Sequence, residues 1–451
     1  MNILIAAAEY APLARTGGLG EAVAGLAGAL RRLGVDVTVV IPRYRHLADA
    51  GIPVTRPASA RRIDVDGVGV LALEDPEAFD RDGIYGPTPG TAYEDEWWRW
   101  GRFARLVGEL AGGFDLLHVN DGHPAPAVLL TGTPSVLTVH NASYPLLGPL
   151  KESADVLGVH PRHRRLGGSL EWYGQANYLK AGLVGADRVT TVSPSFAIQI
   201  TSDLEVTAGL SEVIRWLDHP VQGILNGIDV SHWVPSSDAA LPAPFTARRL
   251  RGRDEAKSEL LSAAGLDEGF LLGNVGRMTE QKGLDLLDDD LDRLVDEGFR
   301  LILVGNGELD EMVDEWAARH PTAVWHGPYD ESLSRLVFAG SDAYVMPSRF
   351  EPCGLGQMYA MRYGSLPIAR LTGGLADTVI DVDELPDEAT GFGFRLFDPR
   401  ELTKTIRRAR RIHDHRRGIW RALQRRGMQR DWSWDRAAGE YVDVYRAVLD
   451  H

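Results

Sequence analysis

Cysteine is almost absent: Cys353 is the only one in 451 residues, so no disulfide can form within the chain, and this scarcity fits a reducing compartment. Long apolar runs are also missing, and none approaches the length of a membrane span. The opening MNILIAAAEY lacks a basic flank and its apolar run stops at Glu9, so it predicts a buried strand and not a secretion signal. Positive charge is in deficit, with 48 Lys+Arg against 63 Asp+Glu and a net charge of −15. A chain of that charge is a poor partner for nucleic acid or an anionic membrane, and an anionic ligand would need a local cationic pocket. Together these absences predict a cytoplasmic protein with neither nucleic acid nor membrane as partner. The length exceeds one ordinary core and suits two or three domains.

What is present alternates. NILIAAA, VDVTVVIP, DLLHVN, SVLTVHN and DRVTTVSP are strand-like, separated by helical periodicity such as Glu21 to Leu33, closed by Gly34. The pattern restarts with FLLGNVG, RLILVGNG, AVWHG, DAYVMPS and LPIA. The expected class is α/β: two Rossmann-like, doubly wound domains facing each other across a cleft. The proposed boundaries are 1–235 for the first domain, 236–250 for a Pro/Ala/Ser-rich linker and 251–430 for the second. A terminal helix over 431–451 would pack back on the first domain. The arginine-rich run RRARRIHDHRRGIWRALQRR predicts a solvated helix with Ile412, Trp420 and Leu423 as its buried stripe. The acidic DDDLDR, Asp288 to Arg293, predicts a solvated helical face and not a metal site.

Chemistry concentrates at strand ends, where open α/β sheets bind ligands. ARTGGLGEA sets Gly17, Gly18 and Gly20 behind Arg15, a loop that can bring backbone amides close to an anion. It is neither a dinucleotide fingerprint, since Val23 stands where the third glycine belongs, nor a P-loop, since no G-x-x-x-x-G-K-[ST] occurs. GRMTEQKG offers Arg277 and Lys282, a fork and a point charge suited to a diphosphate; a surface loop of salt bridges is the alternative. PSRFEPCGLGQ places Glu351 before a glycine turn into a helix, either to bind sugar hydroxyls or to cap that helix.

SRFEPCGLGQ, TGGLADTV, GRMTEQKGLDLL, GILNGID, DRVTTVSP and ARTGGLG closely resemble bacterial glycogen synthases and plant starch synthases, from Met1 to the terminal SWDRAAGEY. The resemblance implies the B-type glycosyltransferase fold and transfer of glucose from a nucleotide sugar to the nonreducing end of an α-1,4-glucan, with retention. It implies no metal and no cofactor, because the nucleotide sugar is itself a substrate. By motif, Glu351, His140, Arg277 and Lys282 would be catalytic. Arg15, Gly17, Gly18, Asn226, Tyr329, Cys353, Gly354, Leu355, Gly356 and Thr378 would bind the donor, and Glu21, Asp121, Gly122 and Asn141 would lie on the acceptor side. Tyr329 would stack on the base, and Glu351 would be either nucleophile or binding group.

The sequence departs from the family pattern at several of these positions. Arg15 and Glu21 stand for a lysine and an aspartate, Gly356 for a threonine, and Gly122 for a tryptophan beside the acceptor. Such changes leave two expectations open. One is a divergent glycogen synthase, with a glucan or oligosaccharide acceptor. The other is a pseudo-glycosyltransferase joining a nucleotide-activated cyclitol to an amino sugar. A non-catalytic sugar-nucleotide or glucan-binding protein is disfavoured by the retention of Glu351, Arg277 and Lys282.

Overall fold

The computed structural model describes residues 1–53, 60–88 and 90–450. The chain divides into two compact units, Met1–Gly227 with Trp434–His451, and Ile228–Ser433. No helix among the described residues is long and apolar enough to cross a membrane.

In the first unit the apolar runs form a nine-stranded sheet. Asn2–Ala6 lies at its centre, parallel to Asp36–Pro42 on one side and to Leu116–Asn120 on the other. Beyond Leu116–Asn120 come Ser135–Val139, Arg188–Thr191 and Gln222–Gly223, all parallel. On the other flank Val68–Leu73 continues the parallel set, and Ala60–Val65 and Ile52–Pro53 end it antiparallel. The central strands are mostly apolar because both faces are covered, as parallel sheets require, and two buried polar exceptions, His118 and Thr138, bond each other at 2.7 Å. The chain crosses from one side of Asn2–Ala6 to the other, so a topological switch point lies at the carboxyl ends of Asn2–Ala6 and Leu116–Asn120.

The second unit holds six parallel strands in the order Val324–Gly327, Phe299–Val304, Phe270–Val275, Ala343–Met346, Leu366–Arg370, Phe392–Phe394. Numbered along the chain, this is the 3-2-1-4-5-6 order of a doubly wound domain. Its switch point lies between Phe270–Val275 and Ala343–Met346. The last strand, Phe392–Phe394, was not among the expected ones. Its three residues are too short to register as a period; it is a strand by parallel pairing with Leu366–Arg370, with Phe392 stacked on Trp420.

Three expectations need correction. The stretch 236–250 is not a link between domains, because the division falls after Gly227 and the stretch belongs to the second unit. Just before it, Trp233 is buried and stacks on Tyr359 at 4.2 Å; within it, Asp238 receives Arg335 at 2.8 Å and bonds Tyr363. Proline-rich composition does mark irregular backbone, but this backbone is tied down by a buried ion pair. The arginine-rich run is two helices, Pro399–His415 and Arg417–Gln429, broken at Arg416. The break turns Trp420 onto Phe270 and Phe392, both at 5.8 Å. The helix expected from Glu21 begins earlier, spanning Gly18–Arg32, with Glu21 in its first turn. The terminal helix, Trp434–Leu449, is assigned to the first unit, and His451 lies outside the described residues.

Candidate functional site

Each switch point gathers polar side chains. In the first unit the organiser is Glu9, buried just past the end of the central strand. Its carboxylate accepts Thr16 N–H at 2.7 Å, Gly17 N–H at 3.2 Å, the Thr16 hydroxyl at 2.9 Å and the Tyr85 hydroxyl at 2.6 Å. Gly17 is the N-cap of Gly18–Arg32 and has no side chain to cap with, so Glu9 bonds the amides at the helix entrance. Arg15 pairs with Glu21 at 3.1 Å across this loop. These two residues, each a departure from the family pattern, therefore meet as a matched couple.

The neighbouring strand end supplies Asp121, in the left-handed region at φ 59°. Its Oδ1 accepts the backbone N–H of His140 at 2.6 Å and of Asn141 at 3.3 Å, tying the end of Leu116–Asn120 to that of Ser135–Val139. Burial raises the Asp121 pKa to about 7, with the Glu9 charge adding to the rise and the two N–H bonds opposing it. Burial lowers His140 to about 3, so its ring is neutral at ordinary pH. The Asn120 amide donates to Ala6 O, which leaves Asn120 Oδ1 to accept from His140 Nε2 at 2.9 Å. That bond fixes the tautomer and leaves Nδ1 as an acceptor. Asn141 Oδ1 is used in the turn, accepting from Ser143. Gly122 is buried beside Leu179 and the Pro145 carbonyl. Asn226 is also buried, and its Oδ1 finds no donor among the described residues.

In the second unit the switch point brings Lys282 and Glu351 together. The loop after Phe270–Val275 carries Arg277 and Lys282, and the loop after Ala343–Met346 carries Glu351. Lys282 Nζ donates to Glu351 Oε2 at 2.7 Å, and the Ser348 hydroxyl donates to the same oxygen at 3.1 Å. Glu351 Oε1 accepts no bond among the described residues. Gly283, at φ 68°, lets the Lys282 loop lie this close: a Cβ there would stand 2.2 Å from the Pro347 carbonyl. Arg277 is exposed and makes no side-chain bond among the described residues. Tyr329 is half-exposed after Val324–Gly327.

Behind Glu351, Cys353 is buried, and Gly354 turns the chain at φ 73° into the short helix Gly356–Arg362, with Leu355 as its N-cap. Gln357 donates to Cys353 O, Gly354 O and the Thr378 hydroxyl, and Thr378 donates to Gly374 O. Thr378 is therefore buried and braces the loop, where the sequence had suggested a donor contact. The acidic string is engaged as well: Asp288 accepts from Trp316, Asp290 from Arg407, and Asp292 bonds His320. Sequence reasoning missed Glu9, Tyr85, Asn120, Ser348 and Gln357. Ser348 and Gln357 lie within the quoted SRFEPCGLGQ, Asn120 ends the quoted DLLHVN, and Glu9 is the first charge after a buried strand beside a glycine loop; Tyr85 carried no signal.

Residues 2–216 match the family described as starch synthase catalytic domain, and residues 269–411 match glycosyl transferases group 1. The glycogen synthase of Syntrophotalea carbinolica is 39% identical over 489 positions, covering 100% of this chain and 99% of that protein. The chain belongs to the glycogen and starch synthase family. It is a glycosyltransferase of that type, and its architecture is the B-type glycosyltransferase fold. The catalytic domain of starch synthase IV from Arabidopsis thaliana, bound to ADP and acarbose, aligns with a TM-score of 0.88 and 29% identity, over 100% of this chain and 99% of that one. Sucrose-phosphate synthase from Thermosynechococcus elongatus shares the fold, with a TM-score of 0.65 and 18% identity over 100% of this chain and 99% of that one.

Proposed function

We propose that the chain transfers glucose from ADP-glucose to the nonreducing end of an α-1,4-glucan, with retention at the anomeric carbon. The carrying observation is the Lys282–Glu351 contact at the second unit's switch point, with the exposed guanidinium of Arg277 on the same loop. Lys282 spends one of its three ammonium protons on Glu351, which leaves the others for phosphate oxygens. Arg277 adds a fork, so the charge building on the diphosphate leaving group is met by two cations without a metal. Glu351 Oε1 is available to bind a sugar hydroxyl or to stabilise positive charge on the anomeric carbon. In the first unit, the neutral His140 ring keeps Nδ1 as an acceptor for a sugar hydroxyl. With no nucleophile required, the leaving phosphate takes the acceptor's proton on the face where the new bond forms, and configuration is retained.

ADP in the Arabidopsis complex supports the nucleotide, and its acarbose supports an oligosaccharide acceptor. The Arg15–Glu21 couple accounts for two of the sequence departures without a changed donor, and nothing observed favours a cyclitol donor or amino-sugar acceptor. The test is a donor screen with ADP-, UDP- and GDP-glucose on maltooligosaccharides, with the new linkage read by NMR. Elongation with α-linkages and preference for ADP-glucose is the expected result; no chain growth with any of the three would overturn the reading.

A further inference from the structure

Phe270–Val275 and Ala343–Met346, the strands that deliver Arg277, Lys282 and Glu351, pair directly at only two positions, Leu272 with Ala343 and Gly273 with Tyr344. Beyond Gly273, side chains hold them together. The Asn274 amide donates to Val345 O at 2.7 Å. The Tyr344 hydroxyl accepts Val275 N–H at 3.0 Å and donates to Val275 O at 2.8 Å. Val275 is two residues before Arg277, so one phenol satisfies both backbone groups at the root of the cationic loop.

The same hydroxyl lies under the other loop. A Cβ on Gly356 would stand 2.7 Å from the Tyr344 oxygen and 3.1 Å and 3.2 Å from two ring carbons. The ring has little room to withdraw: it is 1% exposed and packs on Phe338 at 5.3 Å, which packs on Tyr359 of the Gly356–Arg362 helix at 5.6 Å. Burial raises the phenol's pKa, the Val275 N–H bond opposes and the Glu351 charge adds to the rise, so the hydroxyl stays protonated and can keep donating to Val275 O.

We propose that Tyr344 is a positioning residue for the donor loops, fixing the root of the Arg277–Lys282 loop through Val275 while filling the space a side chain at position 356 would need. The absence of a side chain at Gly356 is then the counterpart of Tyr344, and the two positions change together or not at all. The proposal builds on the glucosyl-transfer reading for its kinetic consequence, but the contact itself can be tested without it.

The experiment compares the full chain with Tyr344→Phe, Gly356→Ala, Tyr344→Leu and the Tyr344→Leu/Gly356→Ala double variant. Tyr344→Phe keeps the ring and loses only the hydroxyl. It is expected to lower transfer by about tenfold, the scale of one or two net hydrogen bonds, while its melting temperature stays near that of the parent. Amide hydrogen exchange in peptides spanning 275–282 is expected to speed up in the same variant, and this readout needs no substrate. Gly356→Ala is expected to cost more than about tenfold in the parent and less than about threefold beside Tyr344→Leu, where the slot is open. Unchanged exchange over 275–282 in Tyr344→Phe, or an equal cost of Gly356→Ala in both backgrounds, overturns the proposal. Should Tyr344→Leu fail to fold, Tyr344→Phe/Gly356→Ala takes its place, because it removes the 2.7 Å contact. Failure of the parent to elongate glucans from any nucleotide sugar would sink the functional reading alone, since the exchange result stands apart from it.

Discussion

Lys282 and Glu351 are 69 residues apart in sequence and 2.7 Å apart in space, held there by the ends of two adjacent parallel strands. Both are largely buried, with side-chain exposures of 22% and 7%, so neither charge can be removed without leaving the other poorly solvated. Glu351→Gln keeps the shape and removes the charge. It is expected to lower kcat by at least about a hundredfold, the scale of one pre-organised charged group, while ADP affinity changes little. Initial rates and calorimetric ADP titration check this; a near-normal kcat would remove Glu351 from the mechanism.

Arg277 gives a cleaner separation of function from stability. It is exposed and makes no side-chain bond among the described residues, so Arg277→Ala is expected to leave unfolding free energy within about 0.5 kcal/mol of the parent. Transfer should nevertheless fall by about a hundredfold. A large drop in melting temperature, or unaltered kinetics, would contradict its assignment to the diphosphate.

Glu9 should show the opposite pattern. It accepts four hydrogen bonds from Thr16, Gly17 and Tyr85, and Glu9→Ala leaves those donors unsatisfied around a void. The expected loss is about 2–4 kcal/mol of unfolding free energy by urea titration, the scale of leaving buried donors unsatisfied at about 1–3 kcal/mol each. Activity should fall with it, because the glycine loop loses its anchor. A loss below 1 kcal/mol would show that the loop holds its shape without Glu9.

Much of this arrangement was legible in the sequence. The two runs of alternating elements predicted two parallel sheets, because strands buried on both faces must be continuously apolar. Strand ends then pointed to Arg277, Lys282 and Glu351, and the family resemblance added Asp121 and His140. What stayed hidden depended on contacts distant in sequence. Tyr85 meets Glu9 across 76 residues, and no local pattern announces that bond. The stretch 236–250 has the composition of a linker, and only the Asp238–Arg335 pair shows it to be part of a core. Gly356 stands for a threonine of the family pattern, and only the Tyr344 hydroxyl 2.7 Å from the place of its missing Cβ shows that the position lacks room for a side chain.

The pH dependence follows from three buried histidines. His118, His123 and His140 are each lowered by burial to about 3, so the folded protein excludes protons that the unfolded chain binds below about pH 6.5. Their contribution to stability is full above pH 6.5 and is lost as pH falls from there toward 3, by at most about 1.4 kcal/mol per group and pH unit. Asp121 works in the opposite sense: raised to about 7, it is more readily protonated when folded and offsets part of that loss. Urea midpoints should therefore drop between pH 7 and pH 5. His123 offers a control, since its Nδ1 has no partner among the described residues and its ring packs on Trp100 at 4.5 Å. His123→Phe should flatten the slope by one proton; an unchanged slope would exclude it as a contributor.

Arg15 and Glu21 allow a decision between a matched substitution and a changed ligand. Their contact is 3.1 Å with exposures of 34% and 21%, a partly solvated pair whose coupling should lie in the range of about 0.2–1 kcal/mol. Arg15→Lys shortens the cation and removes the fork, and Glu21→Asp shortens the anion, so each alone should separate the pair. Together they rebuild the lysine–aspartate pattern that the glycogen and starch synthases carry. If the two departures compensate each other, ADP-glucose transfer should fall by up to about fivefold in either single variant, which corresponds to 1 kcal/mol. The double variant should then regain most of the loss. If Arg15 instead contacts a group that ordinary ADP-glucose lacks, Arg15→Lys would not harm transfer from ADP-glucose, and Glu21→Asp would bring no recovery with any donor. Steady-state rates for the four proteins with ADP-glucose and a maltooligosaccharide decide between these outcomes, and additive losses would reject the matched pair.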